Sequence, residues 1–354
     1  MKTYSKIFII IVVFVTGCNS TEDDFITLFE NRVQLKGSEF TNLEHAYLFN
    51  PYHMIEIDSC LIFSDPDDYN QLSFFDLRVP DTLVRFGTIG KGPLEIISGG
   101  QLSLSDNNRE FELLDISKQM IFYFDIDSLL AGNYAPQRAL SIQNKQGKFY
   151  KGKPISDGFV GMGDFYDKKY GIYQHSNDTM AFFGDYTFKD LKNVPTETLS
   201  LIFQGDFGLN ADRSKIVFAC STTPLLEIVG LNNGHLDIKK RIYFDVPKVK
   251  GVVTEILTTY EVLEDNKKGF TDMYTLGEYI FLLYSGRTGK EFGEDMGFGR
   301  NILVFDWDGN PICHFELDTD ISGFSVSKDL KRIYAIGRIP EPQIVSFNIE
   351  AINL

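Results

Sequence analysis

Three glycines surround a lysine directly after an apolar run, in the stretch Arg85–Ile96 (RFGTIGKGPLEI). Glycine-rich turns of this kind can direct backbone N–H groups at a phosphate. A phosphate-binding loop also needs a Ser or Thr directly after its lysine, and then a helix, whereas Lys91 is followed by Gly92 and Pro93. The stretch is therefore predicted to be an outer strand and its crossing to the next strand. Lys91 becomes a candidate ligand residue if that crossing borders a binding face.

Metal-binding patterns are weak along the chain. The run Asp306–Gly309 (DWDG) begins like a calcium loop, but Pro311 interrupts it and the glutamate of the twelfth position is missing, so a hairpin turn is predicted instead. No two histidines lie two or four residues apart in the sequence, the spacings typical of metal ligands. Each histidine is therefore predicted to be a surface or hairpin residue. The histidines are His45, His53, His175, His235 and His314.

The four cysteines fall into two groups. Cys60, Cys220 and Cys313 each lie within an apolar run, far apart and without a Cys-x-x-Cys pair, so they are predicted to be buried free thiols. Cys18 follows Lys2, Lys6 and nine apolar residues. Nine residues rise about 13 Å as a helix, too little for a bilayer core of roughly 30 Å, so residues 1–17 are predicted to be a secretory signal peptide.

The residues before and after Cys18 indicate attachment to a membrane. Val15-Thr16-Gly17-Cys18 resembles the bacterial lipobox, which implies that Cys18 is lipidated and becomes the N-terminus. Residues 18–30 are then predicted to be an acidic tether. Its run Glu22-Asp23-Asp24 resembles the export tract of surface lipoproteins of the Bacteroidota, and a plain solvated tether is the alternative. We expect an outer-membrane location, facing the cell surface, with a periplasm-facing location as the alternative.

Charge and composition exclude two classes of protein. Removal of residues 1–17 leaves 32 basic and 49 acidic residues, a net charge of −17 that disfavours nucleic acid as a partner. With 43% apolar and 14% aromatic residues the chain can form a large core, so extensive disorder is excluded.

Short apolar or alternating runs recur every 8 to 12 residues or so from Val33 onward, which predicts an all-β protein. Candidate helices are few: residues 127–134 and an insertion at residues 253–264. The runs group into a repeating unit whose third strand is predicted to end at six sites, about 50 residues apart except for one insertion. Six such units predict a six-bladed β-propeller over residues 31–354. The six ends are Asp76, Asp125, Gln174, Leu231, Asp306 and Asn348. The last unit has only three strands, and the N-terminal run 31–37 is predicted to supply its fourth and close the ring.

The first and last units carry a family resemblance. Ile89-Gly90-Lys91-Gly92-Pro93-Leu94-Glu95 and the run 321–337 (ISGFSVSKDLKRIYAIG) resemble the TolB-like six-bladed propeller lipoproteins of Bacteroidales. The resemblance implies the fold and the location, and it supplies no reaction.

One insertion is the leading candidate for a functional loop. Arg287–Arg300 (RTGKEFGEDMGFGR) is rich in charge and glycine, and in a propeller it would share a face with the Gly90–Gly100 crossing. A ligand face built from these loops would present six candidate residues: Lys91, Arg287, Lys290, Phe292, Phe298 and Arg300. A plain surface loop is the alternative.

Two functions remain open at this level. The first is a monomeric binding or scaffold lipoprotein, without a cofactor, that presents this face to a glycan, peptide or protein. The second is a lactonase- or lyase-type enzyme with a divalent metal in the channel. Three Asp-Ser/Thr-apolar triplets also resemble O-glycosylation sites of the Bacteroidota, with Thr82, Ser128 and Thr179 as acceptors.

The lipid anchor can be tested directly. Cys18→Ser removes the only predicted acylation site, so the variant is expected in the soluble fraction while the wild-type protein sediments with membranes and partitions into detergent. Cys18→Ser protein that stays in the membrane pellet would contradict the anchor.

Overall fold

In the part of the chain that the structure describes, the alternating apolar runs form 26 strands, 24 of which belong to six blades around a channel. The computed structural model describes residues 24–39, 48–79, 83–105, 107, 109–188, 190–232, 234–337 and 342–352. Cys18, His45 and Thr82 lie outside these ranges. None of the helices in the described ranges has the length and apolar character needed to cross a membrane.

Four blades are separate antiparallel sheets of four strands each. Blade 1 contains β3 (His53–Ile57), β4 (Cys60–Ser64), β5 (Asn70–Asp76) and β6 (Leu83–Thr88). Blade 2 contains β7 (Gly99–Leu104), β8 (Glu110–Asp115), β9 (Met120–Asp125) and β10 (Arg138–Ser141). Blade 3 contains β11 (Lys148–Ile155), β12 (Gly158–Phe165), β13 (Lys168–Gln174) and β14 (Thr179–Asp185). Blade 4 contains β15 (Gly205–Leu209), β16 (Lys215–Cys220), β17 (Leu225–Asn232) and β18 (His235–Tyr243).

Blades 5 and 6 share one long strand. Blade 5 contains β21 (Phe270–Leu276), β22 (Tyr279–Tyr284), β23 (Gly299–Asp306) and the first half of β24 (Pro311–Val326). The second half of β24 is the inner strand of blade 6, followed by β25 (Arg332–Gly337) and β26 (Gln343–Asn348). The inner strands contact one another in the order β3, β7, β11, β15, β21, β24 and back to β3, which closes a ring of six blades.

The N-terminal segment closes blade 6, as predicted, but with different residues. β2 (Ser38–Glu39) pairs with β26 as the outermost strand of blade 6. β1 (Arg32–Leu35), within the run predicted to close the ring, instead pairs in parallel with the first half of β24 in blade 5. The predicted third-strand ends are confirmed at five blades, and in blade 4 the strand runs one residue further, to Asn232.

Few helices interrupt the strands. Three single turns of α-helix are α1 (Ile126–Leu130), α2 (Leu199–Ile202) and α3 (Gly289–Phe292). Short 3-10 turns cover Phe25–Leu28, Thr196–Thr198 and Gly293–Gly297. The helix predicted at residues 253–264 is wrong, because this insertion is a hairpin of β19 (Val249–Val253) and β20 (Thr258–Val262). Its β-branched valines and threonines favour the extended backbone.

The described end of the predicted tether is packed on the propeller. Phe25 is fully buried, with its ring 5.0 Å from that of Phe270 and 5.8 Å from that of Tyr284 in blade 5. Asp24 caps the 3-10 turn and accepts a hydrogen bond from the Tyr284 hydroxyl at 2.5 Å. Residues 24–29 therefore belong to the folded body.

Apolar contacts fill the space between blades, and a buried ionic cluster around Glu227 crosses the space between blades 3 and 4. Glu227 of blade 4 is fully buried and accepts hydrogen bonds from Lys169 Nζ and Arg241 Nε at 2.8 Å each, and from the Tyr170 hydroxyl at 2.5 Å. The Lys169 ammonium also lies 3.8 Å from the centroid of the Phe218 ring. Burial opposes the charge of Glu227, but the ammonium and these hydrogen bonds hold its pKa at about 2. This cluster joins blade 3 to blade 4.

The three described cysteines are buried and free, which confirms the sequence prediction. Burial raises the pKa of Cys60 to about 12 and that of Cys313 to about 11, so both thiols are protonated at neutral pH. A protonated, inaccessible thiol is a poor nucleophile.

Removal of the Glu227 carboxylate is expected to be strongly destabilising. Glu227→Ala leaves the Lys169 ammonium buried without its partner, which costs about 3–5 kcal/mol of unfolding free energy at pH 7, measured by urea denaturation. The contribution of Glu227 is full above its ordinary pKa of 4.5 and is lost as the pH falls toward about 2, so the gap between variant and wild type narrows in acid. Asp237→Ala, which breaks the exposed pair with Lys239, is the control and leaves the midpoint unchanged. Equal effects of the two substitutions would contradict this account.

Candidate functional site

The central channel holds a cavity of about 490 Å³. Inner strands of blades 1 to 5 line it, and its wall continues to the β15–β16 turn at Arg213, the β21–β22 turn at Gly277 and the β23–β24 turn at Trp307. In a four-stranded antiparallel blade, the turns between strands 1 and 2 and between strands 3 and 4 lie on one face, which we call the hairpin face. The cavity therefore opens on the hairpin face.

The opposite face carries the loops between strands 2 and 3 and the crossings between blades, and we call it the crossover face. The inner strands all begin at this face and end at the hairpin face. His53, Asp206 and Gln101 lie in the first halves of their strands, so they form the floor of the cavity.

A charged pair lies at this floor. His53 Nδ1 is 2.6 Å from Asp272 Oδ1, and His53 Nε2 is 3.1 Å from the carbonyl oxygen of Leu102. The second carboxylate oxygen of Asp272 accepts a hydrogen bond from the backbone N–H of Phe324 at 2.8 Å. Asp272 on blade 5 thus binds blades 1 and 6 at once, and His53 extends the connection to blade 2.

The same floor connects blades 2, 3 and 4. Gln101 donates from Nε2 to the carbonyl oxygen of Phe207 at 2.8 Å and accepts at Oε1 from the N–H of Gly152 at 2.9 Å. Lys151 Nζ lies 3.0 Å from Asp206 Oδ1. We call these groups, with His53 and Asp272, the polar floor. Together its hydrogen bonds join all six blades.

The His53–Asp272 pair holds a proton tightly. Both ring nitrogens of His53 face oxygen acceptors, so either the imidazole is doubly protonated or Asp272 carries the proton. Burial lowers the pKa of His53, but the carboxylates of Asp272 and Asp206 outweigh it and raise that pKa above 6.5. Burial, with a smaller contribution from Asp206, raises the pKa of Asp272. The stability that this proton gives the folded protein is therefore present at low pH. It is lost as the pH rises through the raised pKa values of the pair.

The upper wall of the cavity carries polar groups among apolar ones, and Lys153 and Glu112 place opposite charges on it. Lys153 Nζ lies 3.9 Å from a carboxylate oxygen of Glu112 and donates to the carbonyl oxygen of Leu104 at 2.8 Å. Burial lowers the pKa of Lys153 and raises that of Glu112. Further neutral hydrogen-bonding groups line the wall: Ser103, Ser105, Asn210 and Thr275. Such a wall suits a neutral ligand with several hydroxyl groups.

In the glycine-rich crossing, the carboxylate of Glu95 folds back onto Gly90 and Gly92. The Glu95 carboxylate accepts a hydrogen bond from the N–H of Gly92 at 2.6 Å, and a side chain at Gly90 would meet it at 2.1 Å. Lys118 braces the crossing by donating to the carbonyl oxygens of Gly92 and Glu95. This confirms the predicted crossing, and it leaves Lys91 exposed on the crossover face.

The loop Arg287–Arg300 is held by one aspartate. Arg287 and Arg300 each bind the Asp320 carboxylate at 2.6 Å, and the Arg287 guanidinium lies 4.6 Å from the centroid of the Phe292 ring. Lys290 lies in α3, and Phe298 directly precedes β23. The loop lies on the crossover face with Lys91, as predicted, while none of the six candidate residues lines the cavity. Their role as a ligand face stays a prediction.

Two of the three glycosylation candidates lie in the described ranges. Thr179 is exposed at the start of β14, where its hydroxyl donates to Asn177 Oδ1 at 2.6 Å. Ser128 is half-buried in α1, and its N–H donates to Asp125 Oδ1 at 2.8 Å.

The histidine prediction is wrong at two positions. His53 belongs to the polar floor, and His314 is 3% exposed on β24, with Nε2 2.9 Å from Asn301 Oδ1. Both lie beside apolar residues on a strand, and neighbours far along the chain half-bury His53 and bury His314. His235 is exposed where the β17–β18 hairpin returns, as expected. Within the described ranges, no three His, Cys, Asp or Glu side chains come together to hold a metal ion.

Neutralising Asp272 is expected to lower the pKa of His53. In Asp272→Asn, burial still disfavours the imidazolium, but its main carboxylate partner is gone. Titration of ¹³C-labelled histidine by NMR should show the His53 signals moving to a lower pKa than in the wild-type protein. An unchanged His53 titration would show that the carboxylate does not hold the proton.

Comparison with known proteins agrees with the geometry. The TolB-like six-blade propeller family model matches residues 29–329. A member of the DUF4221 family from Bacteroides vulgatus superposes with a TM-score of 0.54 at 9% identity, over 86% of this chain and 93% of that chain. The Cps50 (Swd1) propeller domain of Myceliophteria thermophila superposes with a TM-score of 0.47 at 9% identity, over 88% of this chain and 99% of that chain. No curated protein matches the sequence. With six blades and a family match over most of its length, the chain belongs to the TolB-like six-bladed propeller family.

Proposed function

We propose that this protein is a lipid-anchored binding module that takes a neutral, hydroxyl-rich ligand, such as a short glycan, into its central cavity. The observation that carries the proposal is the cavity itself, which opens on one face, ends at the polar floor and has a volume typical of small-molecule sites. Its wall offers hydroxyl and amide groups, and the opposite charges of Lys153 and Glu112 lie 3.9 Å apart on it.

The anchor and location are part of the same proposal. The lipobox at Cys18 and the acidic residues after it support attachment to the outer membrane of the cell, with the propeller facing outward. The cavity and the hydrogen-bonding groups that line it support the binding role.

The cavity has a built-in reporter. Trp307 is the only tryptophan of the chain, and it lines the cavity near its mouth, with its indole N–H donating to the carbonyl oxygen of Gly277 at 3.0 Å. A ligand that enters the cavity changes the surroundings of this ring. Binding can thus be followed by intrinsic fluorescence without a label.

We expect neutral disaccharides such as maltose, cellobiose and lactose, titrated one by one, to include at least one that changes Trp307 emission saturably. Thr275→Phe places a ring in the cavity and is expected to weaken that binding at least about tenfold, equivalent to about 1.4 kcal/mol. Thr179→Phe, on the exposed edge of blade 3, is the matched control and should bind like the wild-type protein. Binding that survives Thr275→Phe, or a panel without any saturable change, would contradict the cavity as a glycan site.

A further inference from the structure

Exposed apolar side chains are concentrated on the crossover face. Among the described residues, sixteen large apolar side chains are exposed, and thirteen of them belong to the loops and crossings of this face. The hairpin face and its flank hold the other three: Val79, Leu130 and Tyr134. Examples on the crossover face come from three blade loops: Phe49, Tyr69 and Tyr166 are 69%, 75% and 66% exposed. Such a concentration of exposed apolar side chains on one face indicates that this face contacts another molecule or a membrane.

The β19–β20 hairpin carries the most exposed of the large apolar side chains on this face, Ile256. Its tip exposes Ile256 by 98%, Val253 by 68% and Leu257 by 58%. The base is fixed, because the Tyr260 hydroxyl donates to the carbonyl oxygen of Leu201 at 3.2 Å and Gly251 lies against the backbone of Asn193. The hairpin therefore presents an exposed apolar tip, and its base is held in place by contacts with the propeller.

The backbone of the tip is suited to an apolar surrounding. Thr254 donates its N–H to the carbonyl oxygen of Leu257 at 2.9 Å, and its hydroxyl oxygen accepts from the N–H of Leu257 at 3.0 Å. Polar backbone groups that are already paired do not lose hydrogen bonds when they leave water. Glu255 is the only ionisable residue between Gly251 and Tyr260.

Asp24, the first residue that the structure describes, lies at the same face. Asp24 is bound by the Tyr284 hydroxyl and lies 3.5 Å from Lys267 Nζ, which also lies 3.5 Å from Asp245. Asp245 and Lys267 belong to the connection that contains the hairpin. Cys18 is six residues before Asp24, and six residues span at most about 21 Å. A lipid on Cys18 would hold the crossover face within that distance of a bilayer.

We propose that the crossover face rests on the lipid bilayer, with the hairpin tip Val253–Leu257 inserted at the interface and the aromatic loop residues around it. The inference rests on the proposed lipid attachment of Cys18. Aromatic side chains favour the interfacial region of a membrane, and apolar tips gain free energy there. Because the chain is acidic, anionic lipid would repel it. The proposed contact therefore depends on apolar side chains and does not need anionic lipid. The cavity then opens away from the membrane.

The test uses the lipidated full chain in phosphatidylcholine vesicles. An environment-sensitive fluorophore is attached to Ile256→Cys, or to Glu278→Cys in the β21–β22 turn of the hairpin face as the matched control. Cys60, Cys220 and Cys313 are fully buried, so they do not compete for the label. Trp307 emission checks that both labelled proteins are folded.

Vesicle binding is expected to shift the emission of the label at position 256 to the blue and to leave that at position 278 unchanged. If vesicles carry the protein on flotation but neither label shifts, the hairpin contact is overturned while the anchor stands. A shift at position 278 alone overturns the orientation. A shift at position 256 caused by concentrated protein without vesicles assigns the tip to a second copy of the chain and overturns the membrane contact. Protein that does not float overturns the anchor, and the inference with it.

Discussion

The polar floor is the constraint on which the structure depends. Within each blade, backbone ladders join neighbouring strands, but in the described residues no such ladder joins one inner strand to the next around the ring. Apolar packing supplies most of the attraction between blades, and it is not directional. Hydrogen bonds and ion pairs that involve His53, Gln101, Lys151, Asp206 and Asp272 fix the relative positions of the blades where all six meet. A buried charge that loses its partner costs folding free energy. Each of these contacts therefore also favours one position of the neighbouring blade.

The polar floor also separates the two ends of the channel. Above it, the cavity is open on the hairpin face, with Trp307 near its mouth and neutral polar groups on its wall. Below it, the crossover face carries the exposed apolar loops, the β19–β20 hairpin and the point at which the chain enters the propeller. Binding of a ligand and contact with a membrane would thus use opposite faces, and one would not obstruct the other. The Arg287–Asp320–Arg300 and Glu95–Gly92 contacts stiffen the crossover loops.

Much of the fold could be predicted from the sequence, because strand alternation and turn residues are local signals. The ends of third strands at Asp76, Asp125, Gln174, Asp306 and Asn348 follow from apolar runs that stop at turn residues. The hairpin at residues 249–262 was harder, since its apolar residues also fit a helical period and only the β-branched composition favours strands. The site could not be predicted, because His53 and Asp272 are far apart in sequence and nothing in the spacing brings them together. Similarly, Arg287 and Arg300 looked available for a ligand until the fold placed Asp320 between them.

The central claim is that the two faces have separate tasks, the hairpin face for a ligand and the crossover face for the membrane. Hydrogen–deuterium exchange of the lipidated protein, with and without vesicles, tests it most directly. The account predicts slower exchange on vesicles in the β19–β20 hairpin and the neighbouring crossover loops, and unchanged exchange in the β15–β16 and β21–β22 turns around the cavity mouth. Protection of the cavity mouth by vesicles, with the hairpin left unprotected, would contradict it.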